Sequence, residues 1–229
     1  MELSDKERLV GVTFEDKKLL TQAFTHRSYI NENRGTKMQH NERLEFLGDA
    51  VLELITTEFL YEKFPKRNEG ELTAIRAALV NTITLSEVAH ELKFNSELLL
   101  SKGESKDTGR ARQAILANTF EAVIGAVYLD QGLESARAFI AKNLLPRTER
   151  IVDECLWVDA KSKFQEKAQE HIGVTPVYQT LNEAGPDHDK QFTVGVFVQN
   201  RKIASGTGKS KQDAEQAAAR AGLKAEKWL

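Results

Sequence analysis

Cysteine and proline are scarce in this sequence of 229 residues, which has a single cysteine, Cys155, and four prolines. A lone cysteine forms no disulfide within the chain, and no Cys/His cluster has the spacing of a zinc site. No run reaches the roughly 18 apolar residues that cross a bilayer, and no basic segment followed by an apolar one opens the chain. We therefore expect a cytoplasmic protein with no membrane partner, and not a disulfide scaffold or a zinc module.

The charged residues that are present divide unevenly along the chain. Residues 1–159 contain 21 Lys and Arg against 26 Asp and Glu, whereas residues 160–229 contain 11 against 8. This imbalance permits a metal site in the first part and a polyanion-binding module in the second. Solubility alone produces similar imbalances, so the charge pattern does not decide the function.

Helical periodicity dominates residues 1–150, where apolar residues recur at three- and four-residue spacing. The pattern predicts an all-α domain over 1–150, with glycine, proline and asparagine between its helices. The predicted helices lie near 5–11, 16–23, 26–32, 41–64, 70–92, 96–99, 110–129 and 133–148.

A different pattern follows a polar linker at 151–158. Asp159 is a plausible N-cap for a helix over 160–172. Period-two alternation then predicts strands at 175–181, 192–198 and 201–206, and an Ala-rich helix covers 210–227. The sequence therefore predicts a small α+β domain over 159–229 with the order α-β-β-β-α.

A column of carboxylates is the most informative feature of the first domain. At about 100° per residue, Glu42, Glu45, Asp49 and Glu53 fall within roughly 80° of one helix, for which Asn41 is the predicted N-cap. The leucines, isoleucine and valine of this helix, Leu54 among them, are predicted to face the core. Stacked like charges repel unless a hard cation such as Mg²⁺ binds them, or they form an ordinary solvated face. The stripe alone does not decide between these interpretations.

A second acid stands out in the helix near 110–129. Glu121 is nearly the only charge in this apolar segment, and Asn118 lies three residues earlier on the same side. A lone acid on a buried helix is costly unless it is paired or binds a metal. A salt bridge to Arg43 or Arg76 and a metal role both account for it.

The run at 41–49, Asn-Glu-Arg-Leu-Glu-Phe-Leu-Gly-Asp, resembles the signature of the ribonuclease III family. Segments 25–28, 68–70 and 117–122 also match the family, in the right order along the chain. The resemblance implies a divalent-metal-dependent endonuclease that hydrolyses double-stranded RNA to staggered ends with 5′-phosphate and 3′-hydroxyl groups. It also implies Mg²⁺ as cofactor, with Mn²⁺ as a substitute, and the processing of rRNA, mRNA and tRNA precursors.

The resemblance assigns roles to individual residues. Asp49 and Glu121 correspond to catalytic metal ligands, and Glu45 completes the coordination. Glu42 and Glu69 correspond to acids beside the RNA strand rather than on the metal. The family forms homodimers, and Phe46 supports this here, because a phenyl on the acidic side of its helix is best explained by a partner surface.

Position 118 departs from the family, which usually has aspartate where this chain has Asn118. An amide oxygen still binds Mg²⁺, but it adds no negative charge. Three hypotheses follow: a natural variant that remains active, an introduced substitution, or a dimeric double-stranded-RNA-binding protein that cleaves poorly or not at all.

The second domain resembles a double-stranded-RNA-binding domain. The resemblance implies that such a domain spans two minor grooves and the phosphates between them. The residues it assigns to RNA are Gln165, Glu166, His188, Lys209, Ser210 and Lys211. The segment ending Gly208-Lys209-Ser210 is not a nucleotide-binding P-loop, because Ile203 occupies the position of its first glycine, so no nucleotide cofactor is expected.

Overall fold

The computed structural model describes residues 4–186 and 190–228, and it divides into two compact units, Met1–Glu154 and Cys155–Leu229. The first unit is helical and the second contains all three strands of the described residues, which confirms the predicted fold classes. The predicted linker at 151–158 begins with the last residues of a helix.

Helices make up the first unit, and two short 3₁₀ turns accompany them. The helices are α1 (Asp5–Val10), α2 (Lys17–Ala23), α3 (Arg27–Glu32), α4 (Glu42–Lys63), α5 (Glu69–Leu79), α6 (Thr82–Glu91), α7 (Arg110–Asn143) and α8 (Arg147–Asp153). The 3₁₀ turns are η1 (Phe94–Ser96) and η2 (Glu104–Lys106).

The prediction of one helix over 70–92 is wrong, because the segment breaks into α5 and α6 at Val80–Asn81. The Asn81 side chain accepts a hydrogen bond from the Thr84 main-chain N–H at 2.9 Å and donates one to the Ala78 carbonyl at 2.9 Å. It thus caps the start of α6 and the end of α5 at once. The predicted break between helices near 129–133 is present within α7, where Gly132 has a φ of 79°.

The core of the first unit lies between α4 and α7, which form the most extensive contact between two elements of the described residues. Leu52 and Ile55 of α4 and Phe120 and Ile124 of α7 are fully buried there. No single helix of the described residues is long and apolar enough to cross a bilayer, although α5 and α6 together reach that length and hydropathy as a pair bent by 43°.

The second unit packs two helices against an antiparallel sheet. Its elements are α9 (Ala160–Ile172), β1 (Val177–Ala184), β2 (Gln191–Val198), β3 (Arg201–Gly208) and α10 (Lys211–Ala225), with strand order β1-β2-β3. Asp159 caps α9 as predicted, accepting a hydrogen bond from the Ser162 N–H. Phe164 and Leu223 from the helices meet Val196 and Val198 from β2 in the core.

Candidate functional site

Two glycines allow α4 and α7 to cross with their backbones in contact. A β-carbon on Gly48 would overlap the main-chain carbonyl of Glu121, and one on Gly125 would overlap the carbonyl of Leu44. Side chains at either position would force the helices apart. The crossing therefore brings the Glu45–Asp49 segment of α4 beside Glu121 of α7.

The electrostatics of these carboxyls reflect this proximity. Burial, followed by the charges of Asp49 and Glu45, raises the pKa of Glu121 from 4.5 to about 8. Burial and the charge of Glu42 also raise the pKa of Glu45, and its interaction with the Asn118 amide opposes the rise. Asn118 is one helical turn before Glu121. Glu45, Asp49, Asn118 and Glu121 thus form one group, which we call the site cluster.

The structure divides the predicted carboxylate stripe into paired and unpaired members. Glu42 lies 3.5 Å from an Arg27 guanidinium nitrogen, and Glu53 lies 2.8 Å from Arg76 Nε. Within the described ranges, no lysine or arginine forms an ion pair with Glu45, Asp49 or Glu121. The salt bridge from Glu121 to Arg76 that the sequence allowed is therefore absent, because Arg76 pairs with Glu53 instead. Arg43, the other partner considered, does not pair with Glu121 either.

Asn41 does not cap α4 through its side chain, contrary to the prediction. Its backbone is helical, and its side chain makes no capping hydrogen bond. Instead Asn41, only 2% exposed, donates its amide to the Ala23 carbonyl at 3.2 Å, while its main-chain N–H donates to the Thr25 carbonyl at 2.9 Å. The start of α4, just before Glu42, is thereby tied to the end of α2.

Glu69 lies apart from the site cluster within one chain. It is the first residue of α5, after the C-terminal end of α4, and its carboxylate accepts a hydrogen bond from Thr73. The 14 residues from Asp49 to Lys63, where α4 ends, correspond to about 21 Å of helix. Within one chain, Glu69 is therefore too far away to bind the same ion as Asp49.

The site cluster has the donors that a hard divalent cation prefers, namely three carboxylates and one amide oxygen. Two of the carboxyls have raised pKa values and no cationic side chain neutralises them, so a cation would relieve their repulsion. No three Asp, Glu, His or Cys side chains of the described residues already converge on metal-binding geometry. The residues present fit a divalent ion, and Asn118 would be its neutral ligand.

The surface of α4 beside these acids is apolar and exposed. Phe46 is 81% exposed, and Leu54 and Tyr61 are 56% and 73% exposed. Leu54 and Tyr61 follow Phe46 by 8 and 15 residues, which rotates them by about 80° and 60° from Phe46 around the helix axis. The three side chains therefore form one stripe along α4. Phe46 also borders a cleft of about 620 Å³ whose wall includes Leu129. Leu54 was predicted to face the core; it lies instead at the edge of that face.

In the second unit, the residues predicted to contact RNA differ in whether their side chains already form ion pairs or hydrogen bonds. Gln165 and Glu166 are exposed on α9, where Lys163 lies 3.3 Å from the Glu166 carboxylate. Lys209 is exposed and forms no ion pair with any described residue. The Ser210 hydroxyl is used as the N-cap of α10, and Lys211 is paired with Glu183. His188 lies outside the described residues.

Some features of the site were not anticipated from the sequence. The ion pairs of Glu53 and Glu183 join residues far apart in the chain, so no local pattern indicates them. The sequence did contain an indication of the close helix crossing. Gly48 and Gly125 lie inside strongly helical segments, where glycine is unfavourable.

Comparisons with known proteins agree with this architecture. A family model described as Ribonuclease-III-like matches residues 16–148, and one described as Double-stranded RNA binding motif matches residues 160–225. The chain is 44% identical over 223 residues to Ribonuclease 3 of a Nitratiruptor species, covering 97% of this chain and 96% of that protein. It is 48% identical over 215 residues to Ribonuclease 3 of Bacillus cereus, covering 94% and 87%.

Similarity to a solved structure extends over the first unit. The ribonuclease III nuclease domain of Campylobacter jejuni, described as flexible in a region involved in dimer formation, is 40% identical with a TM-score of 0.56. That match covers 63% of this chain and 99% of the Campylobacter chain. The chain therefore belongs to the ribonuclease III family, with a ribonuclease-III-like unit followed by a double-stranded-RNA-binding motif.

Proposed function

We propose that this family member, an endoribonuclease for double-stranded RNA, cleaves the duplex at the site cluster with Mg²⁺ as cofactor. The observation that carries the proposal is the α4–α7 crossing, which sets the unpaired carboxylates of Glu45 and Asp49 beside the partly buried carboxyl of Glu121. The products carry 5′-phosphate and 3′-hydroxyl ends.

Asp49, Glu121 and Glu45 would hold the divalent ion, and Asn118 would add a neutral oxygen. When bound, such an ion supplies Lewis-acid catalysis by activating a water for attack on phosphorus and stabilising the leaving 3′-oxygen. Asp49 is exposed and Glu121 is only partly exposed. Asp49 would therefore lie nearer the RNA, and Glu121 would hold the ion from the protein side. Mn²⁺ prefers the same oxygen ligands and substitutes for Mg²⁺.

Asn118 lowers the negative charge of the cluster without removing an oxygen ligand. Three carboxylates remain, and they exceed the charge of one divalent cation. We infer that the chain is active as it stands, with weaker metal affinity than an Asn118→Asp variant. None of the comparisons favours the alternative, a dimeric double-stranded-RNA-binding protein without cleavage.

The second unit binds the duplex by its shape and its phosphates. Gln165 and Glu166 on α9 are placed to reach 2′-hydroxyls in a minor groove, while Lys209 and Lys211 lie at the N-terminus of α10, which favours phosphate. Ser210 contributes through its cap of that helix. His188, which lies outside the described residues, is assigned to the next minor groove by family resemblance alone.

The enzyme acts as a homodimer, because one site cuts one strand and a duplex has two. The exposed stripe of Phe46, Leu54 and Tyr61 supports this proposal, since a contiguous apolar patch on a protein surface marks an interaction site. The cleft beside Phe46 has Leu129 in its wall, and we propose that it binds the partner's Phe46. We further propose a cytoplasmic role in processing rRNA, mRNA and tRNA precursors.

Incubation of the purified chain with a labelled RNA duplex, with and without Mg²⁺, tests the function directly. We expect staggered products from the natural sequence only with the metal, and faster cleavage at low Mg²⁺ by Asn118→Asp. Asp49→Asn, which keeps the side-chain shape, is expected to bind the duplex and leave it intact. Products from Asn118→Asp alone would support the binding-protein alternative.

A further inference from the structure

Lys211, the first residue of α10, is held against the end of the sheet. Its ammonium nitrogen lies 2.9 Å from Glu183 Oε1 and 5.6 Å from the centre of the Phe192 ring. Glu183 of β1 and Phe192 of β2 are direct partners in the antiparallel register. A carboxylate and an aromatic ring on adjacent strands thus form one platform under this lysine.

Glu183 attracts a second cation at the same end of the sheet. Lys190, just before β2, has its ammonium nitrogen 3.8 Å from Glu183 Oε2. The hydrogen bond from Lys211, and then its charge, hold the pKa of Glu183 below its ordinary value, so the carboxylate is ionised when RNA arrives. Lys209, two residues before Lys211, pairs with no acid of the described chain.

A paired lysine contributes less to RNA binding than a free one. Duplex affinity comes largely from cations that neutralise phosphates and release counterions, which makes binding depend on salt. Lys211 must exchange a carboxylate for a phosphate, and Glu183 is then left beside the polyanion. The pair therefore adds almost no net positive charge to the surface that meets RNA.

We propose that Glu183 lowers the affinity of the second unit for duplex RNA by competing with phosphate for the Lys211 ammonium. This inference rests on the proposed contact between Lys211 and RNA. The occupied lysine leaves Lys209 as the stronger phosphate contact of the two. A module of moderate affinity suits an enzyme that must release two duplex products after each cleavage.

Binding of the full chain to a labelled RNA duplex in the absence of divalent metal tests the proposal. A duplex of about 20 base pairs exceeds the roughly 16 that such a domain spans. Glu183→Gln keeps the side-chain shape and removes its charge. We expect it to bind about two- to fivefold more tightly, the range of an exposed ion pair, and to steepen the slope of log K against log salt by up to about 0.9.

Glu226→Gln is the matched control. It removes the same charge and breaks a comparable ion pair, since Glu226 lies 2.9 Å from Arg201, at the other end of the helix that begins with Lys211. We expect little change from it. Equal tightening by both variants would show that net charge alone matters, and weaker binding by Glu183→Gln would show that Glu183 positions Lys211 for RNA. Either result overturns the proposal.

Lys211→Met, made in the natural sequence and in the Glu183→Gln variant, tests the contact between Lys211 and RNA separately from the competition by Glu183. We expect Lys211→Met to weaken binding more in the Glu183→Gln background than in the natural sequence. No effect in either background would refute the contact between Lys211 and RNA, whereas equal losses would refute only the competition. Thermal unfolding checks the fold of each variant, and Glu183→Ala repeats the charge removal should Glu183→Gln be unstable.

Discussion

The main-chain carbonyl of Glu121 occupies the space that a β-carbon on Gly48 would need. The main-chain position of Glu121 relative to α4 is therefore fixed by a contact between two backbones rather than between flexible side chains. Gly125, one turn after Glu121, makes the reciprocal contact with the Leu44 carbonyl. This packing fixes the backbones that carry these acids, from two distant segments of the chain, side by side before any cation binds.

Gly48→Ala is expected to disrupt both the fold and the site. The added methyl overlaps a main-chain atom that cannot rotate away, so we expect a loss of about 1–3 kcal/mol or more in the free energy of unfolding. Displacement of Glu121 from Asp49 should reduce cleavage more than the remaining folded fraction explains. Urea unfolding and duplex cleavage measure the two effects. Gly35→Ala is the control, because no atom lies within 4 Å of its added carbon.

Asn41→Asp distinguishes a capping role of Asn41 from its hydrogen bond to the Ala23 carbonyl, which ties α4 to α2. Aspartate is as good an N-cap as asparagine, so a cap would tolerate the change. The buried amide, however, donates to the Ala23 carbonyl, and a carboxylate would face that oxygen without a donor. We expect a loss of about 1–3 kcal/mol in urea unfolding. An unchanged free energy of unfolding would contradict a stabilising role for the hydrogen bond from Asn41 to the Ala23 carbonyl.

Glu7 gives the first unit an acid-sensitive anchor. Hydrogen bonds from the main-chain N–H groups of Phe14, at 3.0 Å, and Ser4, at 2.8 Å, lower its pKa from 4.5 to about 2. Because the folded-state pKa is the lower one, this stabilisation is complete above about pH 4.5 and is lost as the pH falls toward 2.

Glu7→Gln should therefore destabilise the protein at neutral pH, and the difference from the natural sequence should shrink below about pH 4.5. Urea unfolding across this range measures it. Glu62→Gln, on the exposed surface of α4, controls for the loss of one charge. A destabilisation that is independent of pH would indicate a change of packing instead.

Phe46→Ala tests the proposed homodimer. The side chain is 81% exposed in the single chain, so its removal should leave the unfolding of the monomer nearly unchanged. We expect sedimentation to shift from dimer to monomer at concentrations where the natural sequence is dimeric. Ile83→Ala removes another exposed apolar side chain, on α6, and should keep the dimer. A Phe46→Ala protein that remains fully dimeric would refute the assignment.

Local patterns predicted most of the fold. Apolar spacing indicated the helices of the first unit, and period-two alternation indicated β2, whose Val194, Val196 and Val198 are buried. The break at Asn81 was missed because the apolar spacing continues across it, while the side chain caps one helix and ends another.

Site residues were named by resemblance, but their environments depend on contacts between segments far apart in sequence. Arg76 was a candidate partner of Glu121, and only the folded chain reveals that it pairs with Glu53. Asn41 has the residue type of a cap, yet the nearby Ala23 carbonyl takes its amide. Glu183 belongs to no motif, and its pairing with Lys211 joins β1 to the start of a helix 28 residues later in the chain.

The most direct test compares thermal unfolding of the natural sequence and Glu121→Gln, each with and without Mg²⁺. We expect the metal-free variant to be the more stable of the two, because it lacks a carboxyl whose ionised form is disfavoured by partial burial and by the charges of Asp49 and Glu45. Mg²⁺ should stabilise the natural sequence, by about 2.7 kcal/mol at a hundredfold excess over Kd, and leave the variant almost unchanged. Equal stabilisation of both proteins, or of neither, would contradict a cation bound between these helices.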